Sequence, residues 1–194
     1  MVTLRSFITK LHFPLFSCIG IIKGLHNIPK NIPFLLASNH PSRLDPCLLY
    51  LLLYKYANIE IHFLTTEELY HKLLLKKYLE FFNAIKIEES DRAKSVEQAI
   101  KVLHKCGVVG IFPEGQRSNL NNPRIKTGVA RIALQAEVPI VPVRLLDKKS
   151  IFFKRFDVVI GKPLRLNKYY MKKKDPKVWR SIAEKSYKVI MSLS

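Results

Sequence analysis

Residues 34–56 read FLLASNHPSRLDPCLLYLLLYKY. The stretch opens on a short apolar run, Phe34 to Ser38, crosses a polar loop, and resumes from Pro46 to Tyr56 as an apolar segment of helix length. A buried strand, a loop and a helix form the unit from which parallel sheets are built, because successive parallel strands need a crossover connection. Working outward, the unit recurs. Further strands are predicted at Ile59 to Leu64, Ala84 to Ile87, Val108 to Phe112, Ile140 to Val143 and Phe153 to Ile160, and further helices at Glu67 to Phe82, Ala93 to Cys106 and Gly128 to Ala136. A basic amphipathic helix is predicted at Asp175 to Leu193. This rhythm predicts an α/β fold with a largely parallel central sheet flanked by helices.

At the start of the chain Leu4, Phe7, Ile8 and Leu11 fall at helical spacing, with Arg5, Ser6 and Lys10 on the other face. They predict an N-terminal amphipathic helix up to the break at Pro14, fit either to lie in a membrane interface or to pack on the core. The chain is accordingly divided into a membrane-associating segment, residues 1–23, and a domain, residues 24–194, that includes the basic C-terminal helix. The uncharged apolar run Leu11 to Ile22 is twelve residues long and holds Pro14. A bilayer crossing needs about 20 such residues, so no span is predicted.

The whole chain of 194 residues carries 33 Lys or Arg against 15 Asp or Glu, a formal charge of +18, while 48% of it is hydrophobic. That pairing excludes a disordered basic tail and fits one compact domain. So large an excess of cations implies an anionic partner: a phospholipid surface, a nucleic acid or a phosphorylated substrate. The charge is uneven. Met1 to Leu44 carries a local +5 and Arg144 to Ser194 a local +11, which leaves +2 for everything between. Nucleic acid is the weakest of the three partners, resting on Phe152, Phe153, Tyr169 and Tyr170 among cations, and is not expected. The three cysteines, Cys18, Cys47 and Cys106, lack metal-like spacing and read as packed free thiols in a reducing compartment. No metal cluster or nucleotide-binding glycine loop occurs, so no cofactor is expected.

In a parallel sheet, chemistry gathers on loops beyond the carboxyl ends of strands. The loop after the first predicted strand holds His40 and Asp45, and the loop after Val108 to Phe112 holds Glu114, Gly115, Arg117 and Ser118. On one continuous helix His40 and Asp45, five apart, would point about 140° away from each other. With His40 in the loop and Asp45 in the first helical turn, beside Pro46, the imidazole can fold back onto the carboxylate. An Asp that accepts from one ring nitrogen leaves the other as a general base. No Gly-x-Ser-x-Gly elbow occurs in the chain, so the attacking hydroxyl is expected from a substrate, although activated water would also fit. Arg117 offers a planar fork for a phosphate, Glu114 can accept from a hydroxyl, and Gly115 permits a tight turn.

Taken together and in this order, NHPSRLD (39–45), FPEGQRS (112–118) and KTGVARIALQAEVPIVPV (126–143) resemble the glycerolipid acyltransferase family, as does the approach NIPKNIPFLLASNH (27–40). The resemblance covers about Gly24 to Leu166. It implies transfer of an acyl group from acyl-CoA or acyl carrier protein to a hydroxyl of a lyso-glycerolipid, foremost 1-acylglycerol-3-phosphate, in phospholipid biosynthesis. It implies that His40 is the base and Asp45 its orienting partner, that Arg117 binds the acceptor phosphate with Ser118 beside it, and that Glu114 takes a glycerol hydroxyl. It further implies a peripheral enzyme on the cytoplasmic face of an anionic membrane. Two departures qualify the acceptor. Thr66 stands where the family's phosphate-binding members have a Lys, and the Asp-Arg of the second signature is matched only by Asp91-Arg92, several residues past its strand. These leave open a lyso-lipid with another headgroup, and a thioesterase or lysophospholipase is the competing enzyme class.

Overall fold

In the computed structural model, residues 18–70, 76, 79–80, 82–88, 90–115, 124–148, 155–172 and 174–194 are described. They build one seven-stranded sheet in the order β1-β7-β6-β2-β5-β3-β4. The strands are β1 (Ile19–Lys23), β2 (Phe34–Ser38), β3 (Ile61–Thr66), β4 (Ile85–Ile87), β5 (Val108–Ile111), β6 (Ile140–Lys148) and β7 (Arg155–Ile160). Every neighbouring pair is parallel except β6 and β7. The helices are α1 (Asp45–Ala57), α2 (Glu67–Tyr70), α3 (Arg92–His104), α4 (Gly128–Gln135) and α5 (Pro176–Ser192). The α/β fold read from the sequence is thus the one observed, with a mostly parallel sheet between helices.

All five residues of β2 are buried, as a central parallel strand covered on both faces requires. Side chains alternate along it: Phe34 and Leu36 join one core, Leu35 and Ala37 the other. The first core is roofed by α1, in which Leu48 to Leu53 are all about 1% exposed. A helix buried on every side needs no polar stripe, which explains why this segment is apolar throughout. The second core packs α3, α4 and α5 against the opposite face, through residues such as Leu103, Ile132 and Ile182.

Helix ends follow from local chemistry. Asp91 caps α3 by accepting from the Lys94 amide at 3.0 Å, and Asp175 caps α5 by accepting from Lys177 at 2.8 Å. At the far end of α1, Asn58 adopts the left-handed conformation (φ 54°), and the amide of Ile59 returns to the Leu53 carbonyl at 3.2 Å. That closure consumes Ile59 and Glu60, so β3 begins at Ile61 rather than at the predicted Ile59.

Several expectations shift. Residues 19–23, placed by sequence in the segment ahead of the domain, form β1 and pair with β7, so the sheet begins before residue 24. Its period-two pattern is faint because Gly20 interrupts it, and its neighbour β7 lies far along the chain; the Ile21 amide is taken by the Asp157 carboxylate at 2.9 Å. The predicted helix over Leu4 to Leu11 lies outside the described residues, as do Phe152 and Phe153. Tyr169 and Tyr170 are half-buried against the second core, and burial, then the Glu137 charge, push the Tyr170 phenol up from its ordinary value. They are packing residues rather than stacking platforms. Cys18 and Cys47 are half-buried, whereas Cys106 is exposed where the chain turns from α3 to β5 with φ 60°. Among the described residues no helix is long and apolar enough to cross a membrane.

Because α1 has no exposed side to relax toward, deleting side-chain volume there leaves a cavity. Leu52→Ala is expected to lower stability by about 2–5 kcal/mol, read as a lower urea midpoint with unchanged slope.

Candidate active site

Strand β2 lies between β6 and β5 in parallel register, with Ala37 beside both Pro142 and Ile111. The chain leaving its carboxyl end is held at once. Asn39, 4% exposed, donates its amide to the Leu145 carbonyl at 2.9 Å and accepts from the Leu145 amide at 2.7 Å. Its side chain thus imitates a strand residue and extends the β2–β6 ladder by one rung. This residue stood in the quoted motif without a role; a polar amide at the end of the apolar run Phe34 to Ala37, just past Ser38, was the available signal.

His40 follows in the loop, and Asp45 is the first residue of α1 with Pro46 next to it, the arrangement the spacing required. The imidazole Nδ1 donates to Asp45 Oδ2 at 2.8 Å, and the Ser42 amide donates to the same oxygen at 2.7 Å. Asp45 is fully buried, at the helix end where the backbone dipole favours a negative charge. With Nδ1 committed to Asp45, Nε2 is the ring nitrogen left for proton transfer.

The imidazole is also held flat. Phe112, the residue after β5, stacks on it at 4.0 Å between ring centroids and 14° between planes. Phe63 of β3 stacks in turn on Phe112 at 5.4 Å and 10°. Gly110 makes room for this column, since a Cβ there would collide with the Phe63 ring. Three strands therefore set the orientation of one imidazole.

Two residues beyond Phe112, Glu114 is 3% exposed and accepts from the Tyr187 hydroxyl of α5 at 3.2 Å. Burial first, and then the charge and hydrogen bond of Glu114, push the Tyr187 phenol up to about 12, against a smaller opposite effect of Arg144. The phenol therefore keeps its proton and acts as donor throughout the physiological range. Gly115 has φ 71°, and its amide bonds the Phe112 carbonyl at 2.9 Å, closing the turn over the Lys126 side chain.

The fold thus brings His40, Asp45, Glu114 and Gly115 to one edge of the sheet. Arg117 and Ser118 lie outside the described residues. Thr66 and Arg92 stand further along the same edge: Thr66 ends β3, two strands from β2, and the exposed Arg92 opens α3 after β4, three strands away. Between them Lys86 pairs with Glu67 at 2.6 Å, and that hydrogen bond leads the effects raising the lysine's affinity for its proton.

A dyad of this kind beside a buried carboxylate serves reactions in which a hydroxyl must lose a proton while attacking an electrophile. The family profile described as Acyltransferase matches residues 21–146, and the chain belongs to that family of enzymes. Its relatives include 1-acyl-sn-glycerol-3-phosphate acyltransferases. One from Bacillus subtilis is 29% identical over 143 residues, covering 71% of this chain and 70% of the relative. One from Borreliella burgdorferi is 29% identical over 136 residues, covering 69% of this chain and 54% of the relative. The crystal structure of the 1-acyl-sn-glycerophosphate acyltransferase PlsC from Thermotoga maritima superposes with a TM-score of 0.68 at 20% identity, covering 97% of this chain and 80% of that one. It has the same fold.

Asp45→Asn keeps the shape of the loop but removes the charge that orients and supports the imidazole. Acyl-transfer kcat is expected to fall by about 10²–10⁴-fold with an unchanged circular dichroism spectrum; a loss below fivefold would contradict the assignment.

Proposed function

We propose that this protein transfers an acyl group from a thioester, acyl-CoA or acyl carrier protein, to a hydroxyl of a lyso-glycerolipid, with 1-acylglycerol-3-phosphate as the acceptor. The observation that carries the reading is the hydrogen bond from His40 Nδ1 to the buried Asp45, stacked beneath Phe112. The acceptor hydroxyl gives its proton to His40 Nε2 as its oxygen attacks the thioester carbonyl. The bond to sulfur then breaks, and the leaving thiolate takes the proton. An alcohol needs this help, whereas a thiol with pKa near ~8.5 departs readily. Glu114 accepts from an acceptor hydroxyl, and Arg117 and Ser118, which follow Gly115 in sequence, hold its phosphate. Arg92 and Thr66 stand at the outer strands as weaker candidates for the headgroup. Thr66, in place of a lysine, favours as second reading an acceptor with another headgroup.

Placement on the cytoplasmic face of an anionic membrane is part of the proposal. Its support lies in chain direction. Because β6 and β7 are antiparallel and β1 runs with β7, Ile19 lies beside Phe156, which faces Asp147 beyond Leu145. The chain therefore enters β1 on the edge that carries His40. The exposed cations Lys177, Arg180, Lys185 and Lys188 lie on α5, the helix that reaches Glu114. At about 1 kcal/mol per cation near an anionic surface, a few suffice to dock the protein.

His40→Ala is expected to abolish transfer while the fold is retained; a folded variant with full activity would sink the mechanism. Thiol release measured with and without a panel of lyso-acceptors separates transfer from hydrolysis, and the acylated product names the headgroup. In co-sedimentation, vesicles rich in phosphatidylglycerol should bind the protein and phosphatidylcholine vesicles should not, with binding lost at high salt. Equal binding to both would contradict electrostatic docking.

A further inference from the structure

Tyr187 lies 73 residues beyond Glu114 and belongs to no recognised motif, yet its hydroxyl is the donor at Glu114 Oε1. Helix α5 is fixed around it. Its inner face, Ile182, Ala183, Ser186 and Ile190, is buried. Near one end Arg180 donates to the Ile125 carbonyl at 2.9 Å, next to Lys126, whose amide bonds the Pro113 carbonyl at 2.7 Å. At the other end Arg144 of β6 donates to the carbonyls of Met191 and Leu193 at 2.6 and 2.8 Å. Tyr187 sits between these two tethers, so its position relative to the 112–115 turn is set by the fold rather than by its own rotamer freedom. A carboxylate as buried as Glu114 depends on such donors to keep one orientation.

We propose that Tyr187 is a positioning residue for the acceptor: through its hydrogen bond it holds the Glu114 carboxylate in the orientation that receives the acceptor hydroxyl. The proposal rests on the reading of Glu114 as an acceptor-binding residue. The C-terminal helix is then part of substrate recognition. It acts on acceptor affinity and leaves the His40 chemistry and the thioester untouched.

The test is steady-state kinetics on the full chain with acyl-CoA and 1-acylglycerol-3-phosphate, comparing Tyr187→Phe, Glu114→Gln and the double variant. Removing only the hydroxyl should raise the acceptor KM by about tenfold, the scale of a lost hydrogen bond to a charged group. The acyl-CoA KM and kcat should stay within about twofold, and the melting temperature within a few degrees. The double variant should be no worse than Glu114→Gln alone, since both act through one contact. An unchanged acceptor KM in Tyr187→Phe, with Glu114→Gln impaired, overturns the positioning role and leaves Glu114 in place. If Glu114→Gln itself leaves the acceptor KM unchanged, the reading of Glu114 falls and the proposal with it. A fall in kcat and melting temperature without a KM change marks Tyr187 as merely structural and also overturns it.

Discussion

Asp45 is a carboxylate with no access to water, and the rest of the site is arranged around what it takes to keep such a group. Removed from solvent, it needs donors within the protein and a favourable field. The first turn of α1 supplies the field, and the Ser42 amide and His40 supply donors. Pro46 fits because the helix start leaves its missing amide without consequence. The same constraint dictates the loop: the six residues from His40 to Asp45 must bend so that an imidazole at one end meets a carboxylate at the other. A histidine fixed in this way is held in one tautomer by the fold itself.

The loop could not hold that bend alone. Asn39 fastens one end to β6, and Phe112 presses on the imidazole from β5 with Phe63 of β3 behind it. Four adjacent strands, β6, β2, β5 and β3, therefore meet at one imidazole. Precision of this kind is available because all four strands lie in the interior of the sheet, each paired on both sides.

The strand, loop and helix of residues 34–57 were legible because each announces itself locally: an apolar run, a polar break, a proline at the helix start and a long apolar helix. His40 and Asp45 could be paired from spacing once the helix start was placed between them. Asn39, the Phe112–Phe63 column and Tyr187 were not legible, since their roles exist only between elements far apart in sequence. Strand β1 was hidden for the same reason; its partner β7 lies more than a hundred residues away, and Gly20 blurs the alternation that would have marked it. Charge was legible in amount and in its place along the chain, but where it lies in space depends on the single antiparallel pairing of β6 with β7, which no composition reveals.

The stacking of His40 on Phe112 has one more consequence. A ring bonded through Nδ1 to a buried carboxylate and pressed against a phenyl face cannot turn over without breaking both contacts. The imidazole then offers a single nitrogen, Nε2. In the proposed mechanism, the proton taken from the attacking alcohol leaves by that same nitrogen toward the departing sulfur. That mechanism needs alcohol and thioester together on the same side of the imidazole during one turnover, a ternary complex rather than successive visits by two substrates.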